Sequence, residues 1–369
     1  MNGKAAIFTQ PGKPMEVREF PLPTLEPGAI LVRVTMANIC GSDLHMWRGE
    51  ATIGSLGGGG GGPWVLGHEM TGRVHALGAG VKTDSLGEPL KEGDRVVYTY
   101  YKPCGRCYVC IKGELAACPH KFPSWWLAAS QPPHFTGAYA EYYYLMPGQH
   151  IFKVPPELPD EVVAPVNCAL AQVTYGLDQV GVQMGDTVVI QGAGGLGINA
   201  IAVAREMGAG QVIVIDRFPE RLNLATRFGA DQVIDMSQIT NPRERTGRVR
   251  ELTSGRGADV VVEVTGAPQA VTEGIPMLRV GGRYLWIGNI NRGLRIEIDP
   301  SHIVLGNRKV VGTGTYAPWA IPRALDLLKR TQKKYPFRDL ISHKYPLAEI
   351  NRAFQEADTG KVTRAAILP

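Results

Sequence analysis

The chain has 369 residues, 44 % hydrophobic and 20 % charged, so it carries enough apolar material for more than one core, and two domains are expected. A formal net charge of +5 at pH 7, with Lys and Arg scattered rather than clustered, gives no basic stripe for nucleic acid. No apolar run approaches the roughly 18 residues of a membrane span, and the N-terminus lacks a secretory apolar segment, so a cytoplasmic protein is expected.

Residues 1 to about 165 read as mostly β. A strand is expected at 29–34, bounded upstream by Pro and Gly, and another at 94–97 after a Gly-Asp turn. Short strands at this spacing suggest a small barrel-like domain. Between them lie Cys40-Gly41-Ser42-Asp43-Leu44-His45, a run of six glycines at 57–62, and Gly67-His68-Glu69. The glycine run is either an inert linker or a mobile flap at the mouth of a site.

Six cysteines in a chain of this kind fit a metalloprotein better than a disulfide scaffold. Cys104, Cys107, Cys110 and Cys118 are separated by two, two and seven residues. Such short gaps let one loop wrap four thiolates around an ion at about 2.3 Å, filling its shell and leaving no room for substrate. A structural zinc is expected; an iron–sulfur cluster also takes four cysteines. Trp125 and Trp126 follow on a proline-punctuated loop, where they either pack the core or line a pocket. Strand-like character resumes at 136–142.

From about residue 169 strands and helices alternate. The apolar run 187–190 feeds Gly192-Ala193-Gly194-Gly195-Leu196-Gly197, and a helix follows at 198–207. The next strand, 211–215, ends at Asp216, which stands 19 residues after Gly197. A lone Gly-x-Gly-x-x-Gly is weak evidence, but strand, turn, helix and distal acid together make a dinucleotide fingerprint. The pyrophosphate would sit at the helix N-terminus, and Asp216 would accept from the adenosine ribose and repel a 2′-phosphate. NAD is therefore favoured, while Arg217 keeps NADP open. Further βα units are expected at 232–235, 259–264 and 284–288, with Thr265 and Gly288 as additional cofactor contacts, then a strand at 309–312. A helix at 320–330, another at 347–357 and a closing strand at 365–368 complete the chain.

The order Cys-Gly-Ser-Asp-x-x-His, Gly-His-Glu, four-cysteine lobe and Gly-x-Gly-x-x-Gly resembles the zinc-containing medium-chain alcohol dehydrogenases over essentially the whole chain. The resemblance implies an α/β protein: a GroES-like β-rich catalytic domain over 1–168, a Rossmann doubly wound parallel sheet over 169–315, and a return to the first domain over 316–369. It disfavours the iron–sulfur cluster and implies two zinc ions per chain. Cys40, His68 and Cys168 match the catalytic zinc ligands, leaving a fourth position open. Family members carry Cys, Asp or Glu as third ligand, and Asp160 and Glu161 are the nearest acidic alternatives to Cys168. Glu69 matches the acid behind the metal, Asp43 the acid that orients the ligating histidine, and Ser42 and His45 the proton relay. Tyr100 aligns with an aromatic pocket residue, and Trp47, Trp125 and Trp126 are further pocket candidates. The implied activity is reversible oxidation of a small-molecule alcohol, bulky, apolar, secondary or cyclic, to a ketone or aldehyde. A polyol or amino-alcohol dehydrogenase is the alternative within the family, and a non-catalytic zinc-stabilised NAD-binding protein is the alternative outside it. Relatives suggest a homodimer or homotetramer.

Overall fold

A computed structural model describes residues 1–50, 62–123, 125, 127–291, 293–360 and 362–369. The first five residues of the glycine run, on which the flap idea rests, and Trp126 lie outside the described residues. The chain divides into two compact units, one of Met1–Ala171, Ala317–Gln332 and Phe337–Pro369, the other of Gln172–Tyr316 and Lys333–Pro336.

The first unit is built on strand Ile30–Asn38, whose ILVRVTMAN run is buried at all but two positions and so suits the middle of a sheet. It pairs antiparallel with Glu69–Leu77 on one side and with Ala365–Leu368 and Tyr142–Leu145 on the other. Arg95–Tyr98 and Ile151–Lys153 continue the sheet beyond Glu69–Leu77, and His343–Pro346 lies parallel to Ala365–Leu368. Two register shifts between Ile30–Asn38 and Glu69–Leu77 mark bulges, which bend a strand. The register ends with Asn38 opposite Glu69, and that pairing positions the site described below. A smaller sheet of Glu16–Pro21, Asn2–Phe8 and Trp64–Val65 packs around Ile7, Phe135 and Tyr142.

Near the C-terminus the chain forms a 3-10 turn at Leu347–Glu349 and an α-helix at Ile350–Asp358, not one helix from 347. Tight first turns of this kind are common at helix ends. Ile350, Ala353 and Phe354 recur three and four residues apart and are all buried, which fixes this helix against the sheet.

The second unit is a six-stranded parallel sheet. Counted along the unit its order is 3-2-1-4-5-6: Gln232–Asp235, Gln211–Asp216, Thr187–Gln191, Ala258–Glu263, Leu278–Trp286 and Lys309–Gly312. Thr187–Gln191 and Ala258–Glu263 are buried at every position, as strands covered on both faces must be. The helix after the first strand spans Gly195–Glu206 and starts three residues before the expected 198, because the fingerprint glycines form its first turn. Among the described residues no helix is long and apolar enough to cross a membrane.

Candidate active site

The register of the first sheet brings two distant motifs together. Cys40 lies two residues past the end of one strand and His68 one residue before the start of its neighbour, with Asn38 and Glu69 as the paired ends. Cys168 comes from a π-helical turn, Val166–Leu170, a geometry often found at functional sites. Asn167 ties that turn to the sheet, donating from Nδ2 to the His68 carbonyl at 3.0 Å and accepting the Met70 N–H at 3.1 Å. The result is a buried trio. Cys40 Sγ and Cys168 Sγ are 3.9 Å apart, and Cys168 Sγ is 3.2 Å from His68 Nε2. Zinc–sulfur bonds of about 2.3 Å at the tetrahedral angle require sulfurs roughly 3.8 Å apart, so the two thiols fit one edge of a zinc shell. The acidic alternatives point elsewhere: Glu161 pairs with Lys344 at 2.8 Å and Asp160 with Arg95 at 2.5 Å.

Around the trio lies a layer of charged and polar groups. Helix Gly41–Trp47 carries Ser42, Asp43 and His45. The buried Asp43 carboxylate accepts from the Cys40 N–H at 2.9 Å and the Tyr139 hydroxyl at 2.7 Å. Its Oδ1 is 3.3 Å from His68 Nδ1, an ion-pair distance at which neither atom is well aligned for a hydrogen bond. Burial works against charge on the His68 imidazole, yet Asp43 and Cys40 together outweigh it and hold the ring well above the usual imidazole range. The hydrogen bond between the thiols pushes Cys40 well below the ordinary thiol range against burial, and pushes Cys168 well above it with burial adding to the rise, since one proton serves both. Two thiols, an imidazole and a carboxylate buried together form a donor set suited to a divalent cation.

Glu69 is fully buried, and each of its oxygens has a partner: Asn38 Nδ2 donates to Oε1 at 3.0 Å and Arg364 to Oε2 at 2.9 Å. Burial lifts its carboxyl to about 7, against the pull of Arg364. Ser42 Oγ lies 3.5 Å from His68 Nε2. His45 Nδ1 lies 2.5 Å from Glu50 Oε2.

Met46, Trp64, Leu66, Trp125 and Thr136 line, with His68, a narrow pocket of about 20 Å³. The Tyr100 ring stands 4.9 Å from the His68 ring and Trp125 5.7 Å from it, and Phe122 packs on Trp125 at 4.7 Å. Trp125 is fixed by donating Nε1 to the Tyr100 carbonyl at 3.0 Å. Trp47, expected in the pocket, instead packs on Phe354 of the C-terminal helix at 5.9 Å. Two residues from His45 on one helix, it points nearly the opposite way. Asn167, Arg364, Tyr139, Glu50, Trp64 and Met46 were not expected; only their closeness in the fold reveals them.

Cys104, Cys107, Cys110 and Cys118 gather their four sulfurs within 4.8 Å of one another, with Cys107 and Cys118 at 3.9 Å, the same tetrahedral edge.

In the second unit a Cβ on Gly197 would collide with the Gly192 carbonyl oxygen, so the turn through Gly194, Gly195 and Leu196 into the helix requires glycine there. Asp216 is buried at the end of its strand, and backbone groups take up its carboxylate: the N–H groups of Ala193 at 2.6 Å, Arg217 at 2.7 Å and Phe218 at 3.0 Å donate to it. It thereby braces the glycine turn. Arg217 and Arg221 both lie over the Phe218 ring, at 4.8 and 4.7 Å. Thr265 and Gly288 both donate backbone N–H groups to the buried Glu263, at 2.7 and 3.0 Å. All of these sit at the carboxyl ends of parallel strands, where open α/β sheets bind ligands.

Comparison with known proteins bears on this geometry. Residues 26–156 match the family model of the alcohol dehydrogenase GroES-like domain and residues 195–330 that of the zinc-binding dehydrogenases. The 5-exo-hydroxycamphor dehydrogenase of Pseudomonas putida is 34 % identical over 365 residues, covering 99 % of this chain and 98 % of that one. The chain belongs to the zinc-containing medium-chain alcohol dehydrogenases. Among solved structures, an alcohol dehydrogenase from Thermotoga maritima superposes with a TM-score of 0.91 at 31 % identity, covering 100 % of both chains. A Sinorhizobium meliloti 1021 chain solved with NADP bound gives a TM-score of 0.82 at 27 % identity, again covering 100 % of both. As a medium-chain alcohol dehydrogenase this protein is an NAD(P)-dependent oxidoreductase of alcohols, with a GroES-like and a Rossmann-like part. The non-catalytic alternative gives way on this likeness.

Proposed function

We propose that this enzyme reversibly oxidises a bulky apolar alcohol, secondary or cyclic, using NAD and a zinc ion held by Cys40, His68 and Cys168. The carrying observation is one buried trio with zinc-like spacing that opens onto an aromatic pocket. When bound, zinc supplies a Lewis acid at the hydroxyl oxygen and the nicotinamide supplies the hydride acceptor. Asp43 holds the His68 ring in one orientation, as partners of metal-binding imidazoles generally do. Ser42 accepts the hydroxyl proton, and His45, three residues on along the same helix face, releases it to solvent. Tyr100, Trp125, Trp64 and Met46 orient the apolar body of the substrate and exclude water. The Pseudomonas putida relative is named for hydroxycamphor, a bulky cyclic alcohol, which suits such a pocket. A polyol would call for more polar groups than Thr136 and the Trp64 indole N–H provide.

The four-cysteine lobe would hold a second, structural zinc. Asp216 supports NAD over NADP, although Arg217 and Arg221 stacked on Phe218 stand where a 2′-phosphate could pair. A cytoplasmic homodimer or homotetramer is part of the proposal. Lys309–Gly312 is an edge strand with Val310 45 % exposed, and Leu305 nearby is 80 % exposed, as expected of a surface that meets a second copy.

A panel of apolar alcohols and polyols assayed with NAD and NADP, alongside a zinc count, tests these statements. Two zinc ions per chain and turnover of cyclic alcohols are expected. Cys40→Ser should leave one zinc and lose at least about a hundredfold in activity, in line with removal of a metal's electrostatic contribution. Full alcohol-dependent NADH production by Cys40→Ser would refute the metal assignment, and a lower KM for NADP than for NAD would overturn the cofactor assignment.

A further inference from the structure

We propose that Glu50 is a positioning residue for His45: its carboxylate keeps the imidazole protonated at Nδ1 and so makes Nε2 the atom that takes up and releases the proton. This rests on His45 acting as the proton-releasing group proposed above.

The backbone makes the contact specific. Helix Gly41–Trp47 ends with Arg48 as its cap and Gly49 at φ 78°, a left-handed conformation that glycine adopts without strain. The Glu50 N–H donates to the His45 carbonyl at 2.9 Å and the Gly49 N–H to the Met46 carbonyl at 3.0 Å. These two bonds are the Schellman pattern, which folds the second residue past the cap back over the third residue from the helix end. Here those two residues are Glu50 and His45, so the sequence His-x-x-Arg-Gly-Glu puts the carboxylate against the ring.

Hydrogen inventory then fixes the tautomer. An ionised carboxylate only accepts, so the 2.5 Å contact from Glu50 Oε2 to His45 Nδ1 requires the proton on Nδ1. The Arg48 guanidinium also lies 3.3 Å from Nδ1, but a guanidinium only donates and a protonated Nδ1 has no lone pair to offer. Arg48 acts on the carboxylate instead: its Nε is 2.9 Å from Glu50 Oε1. Asp358, at the end of the C-terminal helix, holds the same guanidinium at 2.6 Å. N–H donors and carboxylates therefore alternate along His45, Glu50, Arg48 and Asp358, and each carboxylate oxygen of Glu50 has its own partner. Burial pushes the Glu50 carboxyl up, but the His45 hydrogen bond and Arg48 together hold it below its usual range, so it is ionised at neutral pH.

Solvent screens the pair, because the His45 and Glu50 side chains are 21 % and 45 % exposed.

The test uses the full-length zinc-loaded enzyme with cyclohexanol and NAD, measuring kcat against pH. Glu50→Gln keeps an acceptor but removes the charge. The acid limb should move, because the charge that fixes the proton on Nδ1 is gone. Glu50→Ala removes the acceptor as well, and 15N spectra of His45 should change from a single Nδ1-protonated tautomer to a mixture. His45→Gln should abolish the acid limb. If His45→Gln removes the limb while Glu50→Gln leaves it in place, the positioning role is overturned and the relay stands. An unchanged Glu50→Ala 15N spectrum would likewise overturn it. If His45→Gln itself leaves the profile unchanged, the relay assignment fails and the role of Glu50 falls with it.

Discussion

Arg364→Leu should be among the most damaging single changes outside the metal ligands, for a reason unrelated to the volume removed. The Arg364 and Glu69 side chains are 5 % and 0 % exposed and meet at 2.9 Å. At an effective dielectric of about 20 that separation corresponds to roughly 6 kcal/mol of gross attraction. Without Arg364 the Glu69 carboxyl, lifted to about 7 even with that partner, must either stay charged in a dry interior with only the Asn38 amide to satisfy it or take up a proton, and breaking a buried pair in this way costs about 3–5 kcal/mol. We therefore expect Arg364→Leu to destabilise the enzyme by about 4 kcal/mol. Adding Glu69→Gln removes the stranded charge and keeps a carbonyl oxygen for Asn38, so the double variant should cost only about 1–2 kcal/mol relative to wild type. Urea unfolding at matched zinc content measures both. A single variant that loses under about 1 kcal/mol, or a double variant as unstable as the single, would show that the uncompensated charge is not what Arg364 guards against.

Asn167→Ala deletes both hydrogen bonds that tie the Cys168 turn to the His68 strand, so zinc affinity at the Cys40 site should fall about 10–100-fold while the four-cysteine lobe keeps its ion; competition with a chelator reads both. Equal loss from the two sites would mean general unfolding instead. Val310→Asp puts a charge on the exposed edge strand and should shift the oligomer towards smaller species in sedimentation, with the Cys40 site's zinc retained; an unchanged mass would remove that strand from the subunit interface.

How far the sequence foretells the site depends on whether a residue's partner is a neighbour in the chain. The four cysteines at 104–118 are legible because one short loop can bring them together, and the Gly192–Gly197 turn because strand, turn and helix are contiguous. Ala365–Leu368 and Lys309–Gly312 likewise announce themselves as apolar runs between breakers. Arg364 does not, since 295 residues separate it from Glu69 and only the pairing of the last strand with Ile30–Asn38 makes them meet. Trp47 misleads for the converse reason: its closeness to His45 in sequence suggests a shared site, while a helix sends residues two apart to different faces. Asp216 shows a third case. Its position past the glycine turn is readable, but the three backbone N–H groups that claim its oxygens are not, so a residue expected to serve only the cofactor also holds the turn that the cofactor would rest on. Replacing it would alter the shape of the pyrophosphate cradle together with the ribose contact, and a cofactor switch engineered there needs a substitute acceptor for the Ala193 N–H before any new phosphate partner can help.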